Sequence, residues 1–296
     1  MINKPQDDQG RINGATQLIG LIATPISHSK SPAMHNLAFR ELGLNYVYLA
    51  FEVGNETLED VVTGFRGLNL RGWNVSMPNK TKIHEYLDEL DDSAKFAGAV
   101  NTVVNNGGVL KGYNTDGMGF WKNLEEHNVA FKGKKVVQLG NGGAGTAIAM
   151  QAALEGVGEL VIFNRKDEFF GDAQSNVDKI NTEIPGETKA SLYDIADHDA
   201  LKKEIETADI LVNTTGIGMK PLEGKSLIPD ESFLSADLVV CDTIYSPLYT
   251  KLLEQAQNVG AQTVTGLGMM LWQGAKAFEL WTGQEMPIEA IKEQLF

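Results

Sequence analysis

The segment Ser76-Met77-Pro78-Asn79-Lys80 follows a strand-like run and reads as the opening of a helix. A lysine there would face the positive end of the helix dipole, which eases loss of its proton and suits acid–base work. The plainer reading is a surface lysine, the usual fate of that residue. Asp116, in Asn114-Thr115-Asp116-Gly117, is either the N-cap of a following helix or an acid partner for Lys80. Sequence spacing does not by itself bring the two together. Ser29 and Ser31 lie just after a strand and at a helix start, where ligands bind in open α/β sheets, and their hydroxyls could hold a carboxylate. Ser31 could equally be a plain N-cap. Gln273 sits on an apolar helical stripe with Met269, Met270, Ala277 and Leu280, and its amide must find a partner.

A second group of residues suits a dinucleotide. Gly140-Asn141-Gly142-Gly143-Ala144-Gly145 fits G-x-G-x-x-G, a weak signal alone in a chain with 31 glycines. Context strengthens it: a buried-type strand precedes it, a small-residue helix follows, and a second strand ends about 20 residues on. Gly140 would permit the tight turn and Gly142 the approach of a diphosphate. Gly145 would let the helix pack close to the sheet, and the helix N-terminus would bind the negative charge. The competing reading is a glycine-rich turn without a ligand. At the end of the second strand, Asn164 stands where the usual ribose-binding acid would be. Arg165 and Lys166 could attract a 2′-phosphate, and Asp167 could bind ribose hydroxyls. This favours NAD through Asp167, with NADP as a secondary cofactor.

The elements that must position these residues alternate. Strand patterns run over 18–24, 45–53 and 70–77, with helices over 32–42 and 57–65 between them. In the first helix Met34, Leu37, Ala38 and Leu42 share an apolar face, Ser31 can cap the start and Gly43 can end it. Asn105-Asn106-Gly107-Gly108 is a hairpin turn signal within 99–117. From about Lys132 a second unit begins, with strands over 134–140, 159–164, 208–215, 237–245 and 261–266. The final helix, 267–283, carries Leu271, Gly274, Ala275, Phe278 and Trp281 on one face. The pattern is α/β with mostly parallel sheet.

Composition narrows the function. At about 100–200 residues per domain, 296 residues suggest two domains or one large one. The formal charge of −14 argues against nucleic acid as a partner, although a locally basic site for a small anion remains compatible with it. The one cysteine, Cys241, excludes an internal disulfide and a cysteine zinc cage. His28, His35, His84, His127 and His198 have no metal-ligand spacing, so no metal is expected. G-x-S-x-G is absent. The tryptophans Trp73, Trp121, Trp272 and Trp281 read as packing residues. No long apolar run suggests a membrane span, and the polar N-terminus lacks a signal peptide's apolar core. A cytoplasmic protein is the default expectation.

Taken together and in order, the motifs resemble the shikimate dehydrogenase family, most closely its quinate/shikimate dehydrogenase branch. They are PISHSKSPAMHN (25–36), NVSMPNK (74–80), GAVNT (98–102), NTDG (114–117), GNGGAGTA (140–147), FNRKDEFF (163–170), GMKPL (218–222) and GLGMMLWQGA (266–275). The polar first residues read as a flexible tail over 1–16, and the pattern puts a boundary near Asp116. The resemblance, which runs from about Leu18, implies an α/β substrate-binding and catalytic domain from 17–116 and 269–296, and a Rossmann-type dinucleotide-binding domain over 117–268. The C-terminal helices thus return to the substrate domain. It implies reversible oxidation of shikimate to 3-dehydroshikimate, or of quinate to 3-dehydroquinate, with NAD or NADP. Lys80 and Asp116 would be the catalytic pair. Ser29 and Ser31 would hold the substrate carboxylate, and Ser76, Asn101, Gln273 and Tyr245 would contact the rest of the substrate. Ser76 departs from the threonine frequent in the plain shikimate branch. Gly140, Asn141, Gly142, Gly143, Ala144 and Gly145 would line the diphosphate, and Asn164, Arg165, Lys166 and Asp167 the adenosine ribose. Thr243, Ile244, Tyr245, Ser246 and Gly266 would lie near the nicotinamide. A homodimer is compatible with this reading. Two alternatives stay open: a non-catalytic metabolite or NAD sensor on the same fold, and a dehydrogenase of another cyclic hydroxy acid.

Overall fold

The computed structural model describes residues 12–27 and 29–295. By its internal contacts the chain divides into two compact units, one running up to Asn114 and resuming at Gly274, the other Thr115–Gln273. Most of the expected tail, 1–16, lies outside the described residues, as does His28. The last tail residues are tied down: 13–16 turn, and the Thr16 hydroxyl donates to Asn45 Oδ1 at 2.7 Å.

The first unit holds a six-stranded sheet in the order β2-β1-β3-β5-β6-β4. Its strands are β1 (Gln17–Ala23), β2 (Tyr46–Glu52), β3 (Gly72–Val75), β4 (Glu89–Leu90), β5 (Thr102–Asn106) and β6 (Val109–Tyr113). β1 pairs in parallel with β2 and β3, while β3, β5 and β6 run antiparallel. The Asn-Asn-Gly-Gly signal does turn a hairpin, with Gly107 at φ 64° and Gly108 at φ 100°. Helices α1 (Ser31–Glu41), α2 (Leu58–Gly67) and α3 (Asp92–Ala97) belong here too. Leu42 departs from the expected apolar face: it is the C-cap of α1 and is exposed.

The second unit holds α4 (Thr115–Glu126), β7 (Lys135–Leu139), α5 (Gly143–Leu154), β8 (Glu159–Asn164), α6 (Phe170–Thr182) and β9 (Lys189–Asp194). It continues through α7 (His198–Glu206), β10 (Ile210–Asn213), β11 (Val239–Asp242), α8 (Lys251–Asn258) and β12 (Gln262–Val264). The sheet order is β12-β11-β10-β7-β8-β9, all parallel. Counted within the unit this is 6-5-4-1-2-3, the doubly wound dinucleotide-binding order, whose reversal falls between β7 and β10. Val137, Leu139, Val161, Leu211 and Val240 are buried on the central strands, as a sheet covered on both faces requires. β9 escapes sequence reading because KASLYD is an edge strand, only partly buried and not strongly apolar.

The boundary at Gln273 falls inside α9 (Gly266–Thr282). Its C-terminal half belongs to the first unit, where Trp281 Nε1–H donates to the Val103 carbonyl at 2.9 Å and Arg71 Nε–H to the Trp281 carbonyl at 2.7 Å. The last helix, α10 (Ile288–Leu295), packs on α1. The return of the C-terminal helices to the first unit is therefore present. Ala275, Phe278 and Trp281 are buried there.

Candidate functional site

In the first unit the strand ends of β1 and β3 and the start of β5 carry the candidate substrate residues. α1 begins at Ser31 with Lys30 as N-cap, so Ser31 is the first helical residue and not the cap. The cap-like bond comes from Ser29, whose Oγ accepts from the Ser31 N–H at 3.2 Å. This leaves the Ser29 proton available for an anion. The Ser31 hydroxyl partly offsets the rise that burial gives the Tyr48 phenol. Tyr48, fully buried, donates to Asn74 Oδ1 at 2.7 Å. Asn74 Nδ2 donates to the Asn101 carbonyl at 3.1 Å and to Thr102 Oγ1 at 3.0 Å, and the Thr102 hydroxyl reaches Asn101 Oδ1 at 3.0 Å. Tyr48 and Asn101, 53 positions apart, thus belong to one buried hydrogen-bonded network.

Sequence reasoning missed Tyr48 and Asn74. The only signal was a polar residue at an inward position of a buried strand, since β3 is buried throughout. It also missed His35, which lies fully buried and stacked on Tyr48 at 4.5 Å, with Trp281 edge-on at 5.3 Å. Burial holds its imidazole down to about 3, and neither ring nitrogen has a hydrogen-bond partner.

The setting of Lys80 differs from expectation. Residues 77–82 form successive turns followed only by a single 3-10 turn, Ile83–Tyr86. No α-helix opens at Lys80, so the dipole argument has no helix to rest on. The peptide is fixed differently: the Lys80 carbonyl accepts the Val100 N–H at 2.8 Å and the Asn101 carbonyl accepts the Val75 N–H at 2.8 Å. The lysine loop is therefore bonded to the residue before Asn101, while Ser76 sits half-buried at the end of β3.

In the second unit Asp116 lies in the first turn of α4, one residue inside it, and is not its N-cap. One helical turn further on, Gly119 abuts the Gln273 backbone: a Cβ there would lie 2.5 Å from the Gln273 nitrogen. Asp116 and Gln273 therefore lie on two helices, α4 and α9, that meet at Gly119. The Gln273 Nε2 donates to the Met270 carbonyl at 2.9 Å.

The glycine-rich turn opens α5 at Gly143, with Gly142 as N-cap and no side-chain cap. Gly140 has φ 95°, a left-handed conformation that favours glycine. At Gly145 an added Cβ would come within 2.7 Å of the Gly140 carbonyl oxygen, which gives the close helix–strand approach expected of it. Around Gly142 and Gly143 there is open space. Both polar atoms of the Asn141 side chain are shielded from water without a partner. Unpaired N–H groups at a helix start, open space before them and an orphaned amide beside them fit a dinucleotide diphosphate.

At the end of β8, Asn164 Oδ1 accepts the Asn141 N–H at 3.2 Å and so braces the turn. Arg165 and Asp167 are paired with each other at 3.1 Å, and Asp167 also accepts the Phe169 N–H at 3.1 Å. Lys166 is exposed. After β11, the Thr243 N–H and hydroxyl donate to the Asn213 carbonyl at 3.0 and 3.1 Å, and the Gly266 N–H to the Ile244 carbonyl at 3.2 Å. Tyr245 and Ser246 are exposed. Among the described residues there is no group of three or more His, Cys, Asp or Glu that could hold a metal, and no helix is long and apolar enough to cross a membrane.

Two family models match the chain, the shikimate dehydrogenase substrate binding domain over residues 21–103 and the shikimate 5′-dehydrogenase C-terminal domain over 266–296. A shikimate dehydrogenase (NADP+) of Listeria monocytogenes is 59% identical over 286 residues, 97% of this chain and 98% of the relative. The chain belongs to the shikimate dehydrogenase family. Within it, a crystal structure of shikimate 5-dehydrogenase from Listeria monocytogenes in complex with shikimate and NAD superposes with a TM-score of 0.94 at 59% identity, covering 97% of this chain and 98% of that one. A quinate dehydrogenase from Corynebacterium glutamicum in complex with NAD aligns at TM-score 0.84 and 32% identity, over 94% and 98%. Family membership therefore holds without a particular tie to the quinate branch.

Proposed function

We propose that the chain catalyses reversible oxidation of shikimate to 3-dehydroshikimate with NAD or NADP, with quinate as a second substrate. The observation that carries this reading is the near full-length match to the Listeria enzyme whose crystal structure holds shikimate and NAD. The bound nicotinamide would supply the hydride acceptor.

In this reading Ser29 and Ser31 donate to the substrate carboxylate. Ser76, Asn101, Gln273 and Tyr245 contact the remainder of the substrate. Lys80 takes the proton of the reacting hydroxyl, and Asp116 orients that hydroxyl. The N–H groups of Gly142, Gly143 and Ala144 hold the diphosphate at the start of α5, with Asn141 alongside. Thr243–Ser246 and Gly266 stand near the nicotinamide.

The Arg165–Asp167 pair makes both cofactors acceptable. An exposed ion pair contributes only about 0–1 kcal/mol, so either partner is readily released. Asp167 then serves the ribose hydroxyls of NAD, and Arg165 the 2′-phosphate of NADP. We favour NAD because Asp167 is the less exposed partner, 32% against 80%.

The deciding experiment follows the absorbance of reduced nicotinamide with shikimate and quinate and with each cofactor. Turnover of shikimate is expected. No reduction in any combination would overturn the assignment in favour of a sensing protein, and turnover only with another cyclic hydroxy acid would reassign the substrate.

A further inference from the structure

Leu139, Asn213 and Asp242 are neighbours in register at the carboxyl ends of β7, β10 and β11. None has a part in the reaction described above, yet two of them are polar and almost wholly buried, Asn213 at 2% and Asp242 at 1% exposure. The Asp242 carboxylate accepts from Asn213 Nδ2 at 3.2 Å to both oxygens, from the Thr250 hydroxyl at 2.7 Å and from the Ile244 N–H at 2.9 Å. A carboxylate is the one side chain of this size that accepts from all of these donors at once. An amide in its place would set an N–H against another N–H.

Asn213 faces the other way as well. Its Oδ1 accepts from the Thr215 N–H at 3.0 Å and the Thr215 hydroxyl at 2.7 Å, and its Nδ2 also donates to the Ile217 carbonyl at 3.1 Å. The Thr215 methyl lies directly on the Gly140 α-carbon, where no Cβ would fit. Thr214 adds a hydroxyl bond to the Gly140 carbonyl at 2.8 Å. A continuous chain of contacts therefore runs from the glycine-rich turn through Thr215, Asn213 and Asp242 to Ile244, whose carbonyl holds Gly266.

We infer that Asp242 and Asn213 are a pair of positioning residues for the dinucleotide: Asp242 sets the loop 243–246 at its nicotinamide end, and Asn213 sets the glycine-rich turn at its diphosphate end. This rests on the reading of those two segments as the cofactor site. A pair that only stabilised the fold would affect every part of the cofactor alike. A positioning pair acts on each end separately.

The test measures binding of NADH and of ADP-ribose, which lacks the nicotinamide, to purified wild type and variants. Asp242→Asn is expected to weaken NADH about tenfold and ADP-ribose less than about twofold. Asn213→Ala is expected to weaken both. The exchange variant carrying Asn213→Asp and Asp242→Asn restores an acid–amide pair with reversed polarity and should recover part of the NADH loss. Thr250→Val, which removes one donor, keeps the proposal testable should Asp242→Asn not fold, and should show the same contrast at about threefold. Equal weakening of NADH and ADP-ribose by Asp242→Asn or Thr250→Val would overturn the inference, as would unchanged binding in folded variants. Wild type that binds NADH but turns over no substrate would overturn the proposed reaction and leave this inference standing on the ADP-ribose contrast. Wild type that binds neither nucleotide would overturn both.

Discussion

The Tyr48 hydroxyl donates to Asn74 Oδ1 at 2.7 Å, inside the buried network that continues to Asn101. Tyr48→Phe keeps the ring that stacks on His35 but leaves the Asn74 oxygen buried without its donor. An unsatisfied buried acceptor costs about 1–3 kcal/mol, so the melting temperature should fall measurably. Shikimate KM should also rise, because Asn74 and through it Asn101 lose part of their buried anchor. An unchanged KM would show that the network does not orient the substrate residues.

Lys80→Ala should lower kcat by at least about a hundredfold, the low end of what a general acid or base supplies. Cofactor affinity should stay within about twofold, because the glycine-rich turn belongs to the other compact unit. Steady-state kinetics with a parallel NADH titration check both. Retained turnover would remove Lys80 from the proton-transfer role.

Asp167→Ala removes the acid proposed for the NAD ribose and frees the Arg165 guanidinium from its partner. The ratio of kcat/KM for NAD to that for NADP should fall about tenfold, the scale of one hydrogen bond involving a charged group. An unchanged ratio would place ribose recognition elsewhere.

Two buried groups act in opposite senses on acid stability. His35 is held down to about 3 from an ordinary 6.5, so between those values the unfolded chain binds the extra proton and stability falls as pH falls. Burial pushes the Asp242 carboxyl up to about 6 from 3.8, against the pull of its hydrogen-bond donors, so across that window the folded chain binds the extra proton and stability rises as pH falls. Each slope is about 1.4 kcal/mol per pH unit, and they offset each other where the windows overlap. Asp242→Asn should therefore steepen the loss of melting temperature between pH 6 and pH 4, and His35→Leu should flatten or reverse it. Parallel slopes in both variants and wild type would contradict the assigned protonation.

The alternating strands and helices, the hairpin at Asn105-Asn106-Gly107-Gly108 and the glycine-rich turn that opens a helix were legible because each is local. Periodicity, a positive-φ glycine pair and a helix-opening glycine run act over a few residues, and a single sequence records them directly. The motifs that resemble the shikimate dehydrogenase family named the candidate residues for the same reason. Local reasoning failed at Lys80, where a helix start was inferred from flanking residue types but Pro78 and Asn79 lead into turns. At Ser31 the inferred helix start is present and only the cap differs, because the cap-like bond comes from Ser29.

What only the tertiary structure decided is which distant polar groups share a buried partner. Tyr48, Asn74 and Thr102 lie on three different strands, and sheet order β2-β1-β3-β5 carries them to one network. Asn213 and Asp242 sit at the ends of strands separated by a long connection, and parallel register sets them side by side. Such pairing is invisible along the chain because burial removes water as an alternative partner. The polar atoms must then satisfy one another across whatever strands the sheet makes neighbours.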